Sequence, residues 1–263
     1  MGEYLRELDA AHEFARAGGK IALGHYRKQL RSQRKADGTW VTEADWAVEA
    51  QIRLRIARAF PDHNVLGEEE GLTASGGGPP VEGAPTWIVD PIDGTNNYIA
   101  GIPIWATLVA LRVDGAGVVG VAHAPALGET YDAAAGSGAR CNGETISVDP
   151  SPDLAAATVL FSGLDGWRTA GRAEAFAGLV ERANRNRGLG DFWGHVLVAR
   201  GAAHVMVEPD LAVWDLAALQ PILSEAGGKI TDLDGKPWTE RGGCVTTNGV
   251  LHEEVVTLLN ENG

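Results

Sequence analysis

From Ala59 to Leu111 the chain carries no lysine or arginine, yet the same stretch holds seven acids. One of them, Asp90, ends the apolar run Trp87-Ile88-Val89, which reads as a buried strand. A carboxylate at the end of a buried strand needs a partner, because burying an unpaired charge is costly. Acids that converge raise one another's pKa unless a cation neutralises them. Pro91 turns the chain and Asp93 returns three residues after Asp90, so a tight turn can aim both carboxylates at one point. The carbonyl of Ile92 between them offers a third oxygen. An all-oxygen set suits Mg²⁺ or Mn²⁺ rather than zinc. Gly94 lets a phosphate approach the backbone, and Thr95-Asn96 can open a helix whose free N–H groups bind it. A bare Asp-Gly-Thr reads as a turn or cap; the strand before it and the acids around it favour a metal and phosphate site.

Three further acids stand in suggestive settings. Val65-Leu66-Gly67-Glu68-Glu69-Glu70-Gly71 follows a short apolar run with an acidic cluster, and Glu68, nearest that run, is the one expected to point inward. Asp215 in Trp214-Asp215-Leu216-Ala217-Ala218 opens an apolar helix, where the dipole alone favours an acid. Asp45 sits three residues after Thr42, the spacing of a helix cap. A solvated loop, a helix-dipole partner and a cap remain open for these three residues taken singly.

A chain of 263 residues holds one large domain or two tightly joined ones, at ~150 residues per domain. Apolar spacing at Leu5, Leu8, Ala11, Ala15 and Ile21 predicts a helix over 3–28. A second helix begins after Thr42, continues through Val48, Ile52 and Ile56, and stops at Phe60-Pro61; Lys35-Ala36-Asp37-Gly38-Thr39 between them reads as a loop. Residues 74–85 read as a loop, and 86–90, 105–113 and 117–124 as strands. Asp114-Gly115 and Asn142-Gly143 each signal a hairpin. The pattern then alternates: strand 158–161, helix 172–183, helix 192–200 and strand 203–207. Helix 214–226, closed by Gly227-Gly228, precedes strands 229–233 and 244–247 and a terminal helix 251–259. The chain is thus mixed α/β, antiparallel-rich over about 1–150 and βα-alternating over about 151–263.

The formal net charge is −13, from 22 basic and 35 acidic residues. Such a field repels nucleic acid and anionic lipid, while leaving room for a small anion held through metal ions. The two cysteines, Cys141 and Cys244, form no C-x-x-C pair, which favours a reducing compartment. Met1-Gly2 opens a charged segment with no signal-peptide core, and Arg6 stands where a myristoylation motif needs Ser or Thr. No apolar run approaches the ~18 residues of a membrane span. A cytoplasmic protein with no nucleic-acid or membrane partner is expected.

Taken together, Gly67-Glu68-Glu69, the run from Trp87 to Thr95, and Trp214-Asp215 with Glu225-Ala226-Gly227-Gly228 resemble the inositol monophosphatase family of Mg²⁺-dependent phosphomonoesterases. Val41-Thr42-Glu43-Ala44-Asp45 extends the resemblance to the front of the chain. It implies the layered αβαβα sandwich of that family, shared with the fructose-1,6-bisphosphatase type, and a homodimer. Two to three Mg²⁺ ions (or Mn²⁺) are implied, the first on Glu68, Asp90 and the Ile92 carbonyl and the second on Asp90, Asp93 and Asp215. Asp45, through water, and Glu68 would support a weaker third. Gly94 and Thr95 would hold the phosphate, and Thr95 with Glu68 would orient the attacking water.

Within the family, Gly101-Ile102-Pro103-Ile104-Trp105, Phe161-Ser162-Gly163-Leu164-Asp165-Gly166-Trp167, Gly190-Asp191-Phe192, Glu208-Pro209 and Thr247-Asn248-Gly249 are similar to bacterial histidinol-phosphate phosphatases. The implied substrate contacts are Asp93, Asp191, Glu208, Arg187 and Asn248. Two carboxylates, Asp191 and Glu208, suit a leaving group carrying an amine and an imidazole better than a neutral polyol. The alternative reading of Asp191 is the N-cap of the helix beginning at Phe192. Three functions follow: hydrolysis of histidinol phosphate in histidine biosynthesis by metal-activated water attack, hydrolysis of inositol 1-phosphate or another sugar phosphate, or a non-catalytic scaffold of the same fold. The intact set of acids disfavours the last.

Overall fold

A computed structural model describes residues 3–36 and 38–261. Met1, Gly2 and Asp37, on which the terminal reading and part of the 35–39 loop rest, lie outside the described residues. The first part of the chain runs α1 (Leu5–His25), β1 (Ser32–Arg34), β2 (Trp40–Thr42), α2 (Glu43–Ala59), β3 (Asn64–Gly67), β4 (Gly71–Ala74), β5 (Thr86–Asp93) and α3 (Thr95–Ile99). A meander follows: β6 (Ala106–Val113), β7 (Ala116–Ala124), β8 (Glu129–Ala134), β9 (Ala139–Cys141) and β10 (Glu144–Thr145). The second part runs β11 (Thr158–Phe161), α4 (Asp165–Thr169), α5 (Ala173–Arg182), β12 (Arg185–Gly188), α6 (Asp191–Ala199) and β13 (Val205–Ala212). It closes with α7 (Val213–Ala217), α8 (Leu219–Glu225), β14 (Lys229–Asp232), β15 (Arg241–Thr247) and α9 (His252–Asn260).

Besides the two-stranded pair β1-β2, the described residues form an eight-stranded sheet in the order β10-β9-β8-β7-β6-β5-β3-β4 and a five-stranded one in the order β12-β11-β13-β15-β14. The alternation of strand residues between faces explains how they stack. Trp87, Val89, Val109, Leu111, Val119 and Val121 face α1 and α2, while Ile88, Leu108, Ala110 and Ala122 face the helices on the other side. That middle helix layer, α6 to α8, also receives Leu160, Met206 and Cys244 from the inner face of the second sheet. Val159, Val205, Val207 and Val245 turn outward onto Phe176 and Leu179 of α5 and Val255 and Leu258 of α9. The layers run αβαβα, as the resemblance implied. Small residues make the inner contact close: a Cβ at Gly120 would collide with the Ala218 carbonyl oxygen.

The turns follow local chemistry. Asp114 and Asn142 adopt φ of 50° and 51°, each followed by a glycine at positive φ, as two-residue hairpin turns require. Two local readings need correction, and one hairpin was not foreseen. The loop read over 35–39 falls between β1 and β2, which pair antiparallel, two three-residue strands too short to show a period. The buried face of α1 carries Gly18, Gly19 and Ala22, with Ile21 only half-buried, because the helix lies so close to α2 and to β6 and β7 that glycine is needed at the crossing. The helix expected over 214–226 begins at Val213 and breaks at Ala218 into α7 and α8. Pro221 explains the break, since it lacks the N–H that would bond Ala217 and its ring crowds that carbonyl.

The fold places its functional end where β3 and β5 run parallel and finish side by side. Gly67 pairs with Val89, and the Glu68 N–H donates to the Val89 carbonyl at 3.2 Å. Behind this point Trp87 is fully buried against Phe14 and Phe60, with ring centroids at 5.4 and 5.1 Å. Truncating it to alanine is expected to cost about 3–5 kcal/mol.

Candidate active site

In a regular strand Asp90 and Asp93 would point to opposite faces, because they are an odd number of residues apart. A bulge removes the problem. Asp90 pairs with Leu108 and Asp93 with Ala106, so β5 spends one more residue than β6 over this interval. Pro91 tolerates the interruption because it has no N–H to lose, and its carbonyl accepts the Thr107 hydroxyl at 2.9 Å. Asp215 arrives from the first turn of α7. Asp90, Asp93 and Asp215 each bring a carboxylate oxygen within 4.8 Å of the others'.

Two of the three are anchored by helix N-termini. The Ala212 N–H donates to Asp215 Oδ2 at 2.7 Å, and the Phe192 N–H donates to Asp93 Oδ2 at 2.8 Å. Asp93 therefore caps α6 from 99 residues away, while the dipole reading of Asp215 holds as well. Asp90 is buried and its Oδ1 has no hydrogen-bond partner among the described residues. Burial pushes the Asp90 and Asp93 pKa values well above the carboxylate range, and neighbouring carboxylates add to the shift. Burial likewise lifts Asp215 to about 6, against the stabilising Ala212 N–H. Converging, buried, oxygen-only and short of positive charge, this set fits a hard divalent cation.

Glu68 does turn inward. Burial raises it to about 7, opposed by the Lys35 ammonium. Lys35, from the β1–β2 turn, donates to Glu68 Oε1 at 2.7 Å and to Glu69 Oε1 at 2.6 Å. The acidic gap in the sequence thus borrows its cation from 33 residues upstream. A second, unforeseen brace lies beneath. Glu49, fully buried, accepts the N–H groups of Glu69 and Glu70 at 2.8 and 3.0 Å and is paired with Arg53 at 2.8 Å. Arg53 also donates to the carbonyl of Gly71 and to Thr73, holding the β3–β4 turn. Gly67 is required here because any Cβ would overlap the Glu49 carboxylate. The Glu-x-x-x-Arg spacing on α2 was the available signal.

Asp45 is a helix cap and retains a free oxygen. Its Oδ2 accepts the Thr42 N–H and hydroxyl at 2.8 and 2.6 Å, completing a capping box, while its Oδ1 is buried and has no partner among the described residues. Burial lifts its pKa to about 6. Gly94, with φ of 79°, is the N-cap of α3, and the Thr95 hydroxyl donates to the Ile92 carbonyl at 3.1 Å. The carbonyl expected to bind metal and the hydroxyl expected to orient water therefore satisfy each other in this structure.

Glu68, Asp90, Ile92, Asp93, Gly94, Thr95 and Asp215 line a cleft of about 390 Å³ together with Ser162, Asp191, His195 and Glu208, and the charges of Asp191 and Glu208 reach Asp93. Burial raises Glu208 to about 8; its Oε2 accepts the Ser162 hydroxyl and its Oε1 has no partner among the described residues. Burial raises Asp191 to about 6. Asp191 is not the N-cap of α6: the cap is Gly190, and Asp191 is the first helical residue, held at φ of 55°. The Phe192 N–H of that turn is taken instead by Asp93. His195, one helical turn beyond Asp191, is neutral, because burial lowers its pKa to about 3; its Nδ1 lies 2.9 Å from the Thr246 hydroxyl. Ser162 and His195 had no predicted role.

Two predicted contacts are not brought to the cleft. Arg187 is exposed on β12, where its guanidinium bonds the Asn186 carbonyl. Asn248 is buried and fully engaged: its amide donates to the carbonyls of Asp149 and Ser151 at 2.8 and 2.9 Å, and its Oδ1 accepts the Leu251 N–H at 3.1 Å. It fastens the loop before β11 to the start of α9.

Comparison with known proteins agrees with this geometry. The model of the inositol monophosphatase family matches residues 4–263. A histidinol-phosphatase of Mycobacterium tuberculosis is 45% identical over 236 residues, 88% of each chain, and one from Streptomyces coelicolor is 39% identical over 271 residues, 99% of each. Among solved structures, a Thermotoga maritima IMPase superposes with a TM-score of 0.86 at 32% identity, covering 97% of both chains. Among the described residues, no helix is long and apolar enough to cross a membrane.

Proposed function

The chain belongs to the inositol monophosphatase family, and from that premise we propose that it is a divalent-metal-dependent phosphoric monoester hydrolase whose substrate is histidinol phosphate, cleaved to histidinol and phosphate in histidine biosynthesis. The observation that carries the choice of ester is a further pair of carboxylates in the same cleft as the aspartate trio, buried Glu208 and half-buried Asp191. The histidinol-phosphatase names of two relatives support the same choice.

Asp90, Asp93, Asp215, Glu68 and the Ile92 carbonyl would hold Mg²⁺ or Mn²⁺, two to three ions in all, with Asp45 supporting the weakest. When bound, such ions supply Lewis-acid charge that lowers the pKa of water and neutralises the phosphoryl and leaving oxygens. The protein does the rest. The α3 N-terminus at Gly94-Thr95 receives the phosphate on backbone N–H groups. Glu68 and the Thr95 hydroxyl orient the attacking water. Asp93 and Asp215, each anchored by a helix N–H, keep their remaining oxygens fixed, so little reorganisation accompanies the reaction. Asp191 and Glu208 meet the ammonium and imidazole of the leaving alcohol, and neutral His195 adds no opposing charge.

Residues of both halves of the chain build the cleft, so we read 1–263 as one phosphatase domain. We further infer a homodimer in the cytoplasm, with Cys141 and Cys244 both free thiols. The test is phosphate release from a panel of histidinol phosphate, inositol 1-phosphate, fructose 1,6-bisphosphate and 3′-phosphoadenosine 5′-phosphate, with Mg²⁺ and with EDTA. Mg²⁺-dependent release with highest kcat/KM on histidinol phosphate is expected. A preference for inositol 1-phosphate would transfer the activity to a neutral polyol ester.

A further inference from the structure

Asp191 stands in an unusual place. It is a non-glycine residue at φ of 55°, and its own side chain caps nothing. Its carboxylate lies against the phosphate-binding turn: a Cβ at Gly94 would stand 3.3 Å from Asp191 Oδ2. What holds the carboxylate there is the side chain of Asn97, whose Nδ2 donates to Asp191 Oδ2 at 2.7 Å across 94 residues of sequence. The direction of this bond is unambiguous, because an ionised carboxylate can only accept.

Asn97 is itself rigidly mounted. It lies on α3, the single helical turn that begins at the Gly94-Thr95 phosphate site. The next residue, Tyr98, is buried, donates its hydroxyl to the Ala22 carbonyl at 2.7 Å and packs on Trp105 with ring centroids 5.0 Å apart. Asn97 does not line the cleft, whereas Gly94, Thr95 and Asn96 do. Whatever it contributes to substrate therefore passes through Asp191.

We propose that Asn97 is a positioning residue that sets substrate choice: its amide holds the Asp191 carboxylate toward the cationic leaving group, at a spacing from the phosphate fixed by one turn of α3. The proposal rests on the reading that Asp191 meets that leaving group. One short helix then links phosphate binding to recognition of the far end of the ester, and an ester whose cation lies at another distance is discriminated against.

The test compares kcat/KM for histidinol phosphate and for glycerol 2-phosphate in Asn97→Ala, Asn97→Asp, Asp191→Ala and the Asn97→Ala/Asp191→Ala double variant, with a melting curve for each. Asn97→Ala should lower the ratio of the two kcat/KM values by about tenfold. Asn97→Asp, nearly isosteric but repelling Asp191, should lower it further, whereas a merely space-filling Asn97 predicts the milder loss from the isostere. In the Asp191→Ala background, Asn97→Ala should change the ratio no further. If Asp191→Ala lowers the ratio while neither Asn97 variant does, Asn97 has no positioning role and the leaving-group reading stands. If Asp191→Ala leaves the ratio unchanged, both fall. Should Asn97→Ala fail to fold, Asn97→Asp and its double variant with Asp191→Ala carry the same comparison.

Discussion

The cleft holds two sets of carboxylates, and they are built differently. In the first, Asp90, Asp93 and Asp215 converge within 4.8 Å, and Oδ1 of Asp90 has no hydrogen-bond partner among the described residues. In the second, Asp191 accepts the Asn97 amide and Glu208 accepts the Ser162 hydroxyl. Three converging carboxylates suit a compact divalent ion; carboxylates held by neutral side-chain donors suit the spread charge of an organic cation. On the proposed function, the same residue type would serve metal in one set and substrate in the other, according to how each carboxylate is held.

The largest break in this contrast should come from Asp90→Asn, which removes the acid at the centre of the trio. Turnover should fall on the order of a thousandfold or more, since charge stabilisation of several kcal/mol is lost. Phosphate release measured across a Mg²⁺ titration checks this. Without metal the same variant should melt no lower than the parent, because a neutral amide removes the burial cost and the neighbouring repulsion that raise the Asp90 pKa.

In the second set Asp191→Ala should act on choice of ester. The ratio of kcat/KM for histidinol phosphate to that for glycerol 2-phosphate should fall by at least about tenfold, the worth of one charge-assisted hydrogen bond. An equal loss on both esters would erase the contrast between the two sets.

Asp45→Asn should do less than either. The amide keeps an oxygen for the Thr42 N–H, so the cap survives, but a charge that faces Asp90 is gone. The Mg²⁺ concentration for half-maximal activity should rise a few-fold, on the order of 1 kcal/mol.

The smallest effect is a pH slope in the metal-free protein. Asp45 and Asp215 lie at about 6, Glu68 at about 7 and Glu208 at about 8, all above their ordinary values. Between the ordinary and raised values the folded state holds more protons than the unfolded state, so stability falls as pH rises. Melting temperature in EDTA should decline from about pH 5 to pH 8, and Mg²⁺ should flatten that decline.

Much of this was legible locally. Asp114-Gly115 and Asn142-Gly143 announce their turns, Thr42 and Asp45 announce their cap, and the apolar run into Asp90 announces the strand end. What was illegible depends on partners far away. Nothing near Lys35 indicates that it bridges Glu68 and Glu69, and nothing near Asp93 indicates that it caps α6. β12, Arg185-Asn186-Arg187-Gly188, is a polar edge strand identified only by its pairing with β11. Asn248 stood in a motif similar to a substrate-binding one, yet its hydrogen bonds are spent on the loop before β11. Pro221, by contrast, was a readable signal for the broken helix.

The central claim is that the trio at the end of β5 exists to hold a divalent cation. Titration calorimetry with Mg²⁺ at pH 7 tests it most directly, run in two buffers of different ionisation enthalpy on the parent protein and on Asp90→Asn. The account predicts saturable binding accompanied by proton release in the parent, because the buried acids retain protons until the cation arrives, and loss of that binding in Asp90→Asn. Absence of Mg²⁺ binding in the parent, or binding that survives unchanged in Asp90→Asn, would contradict it.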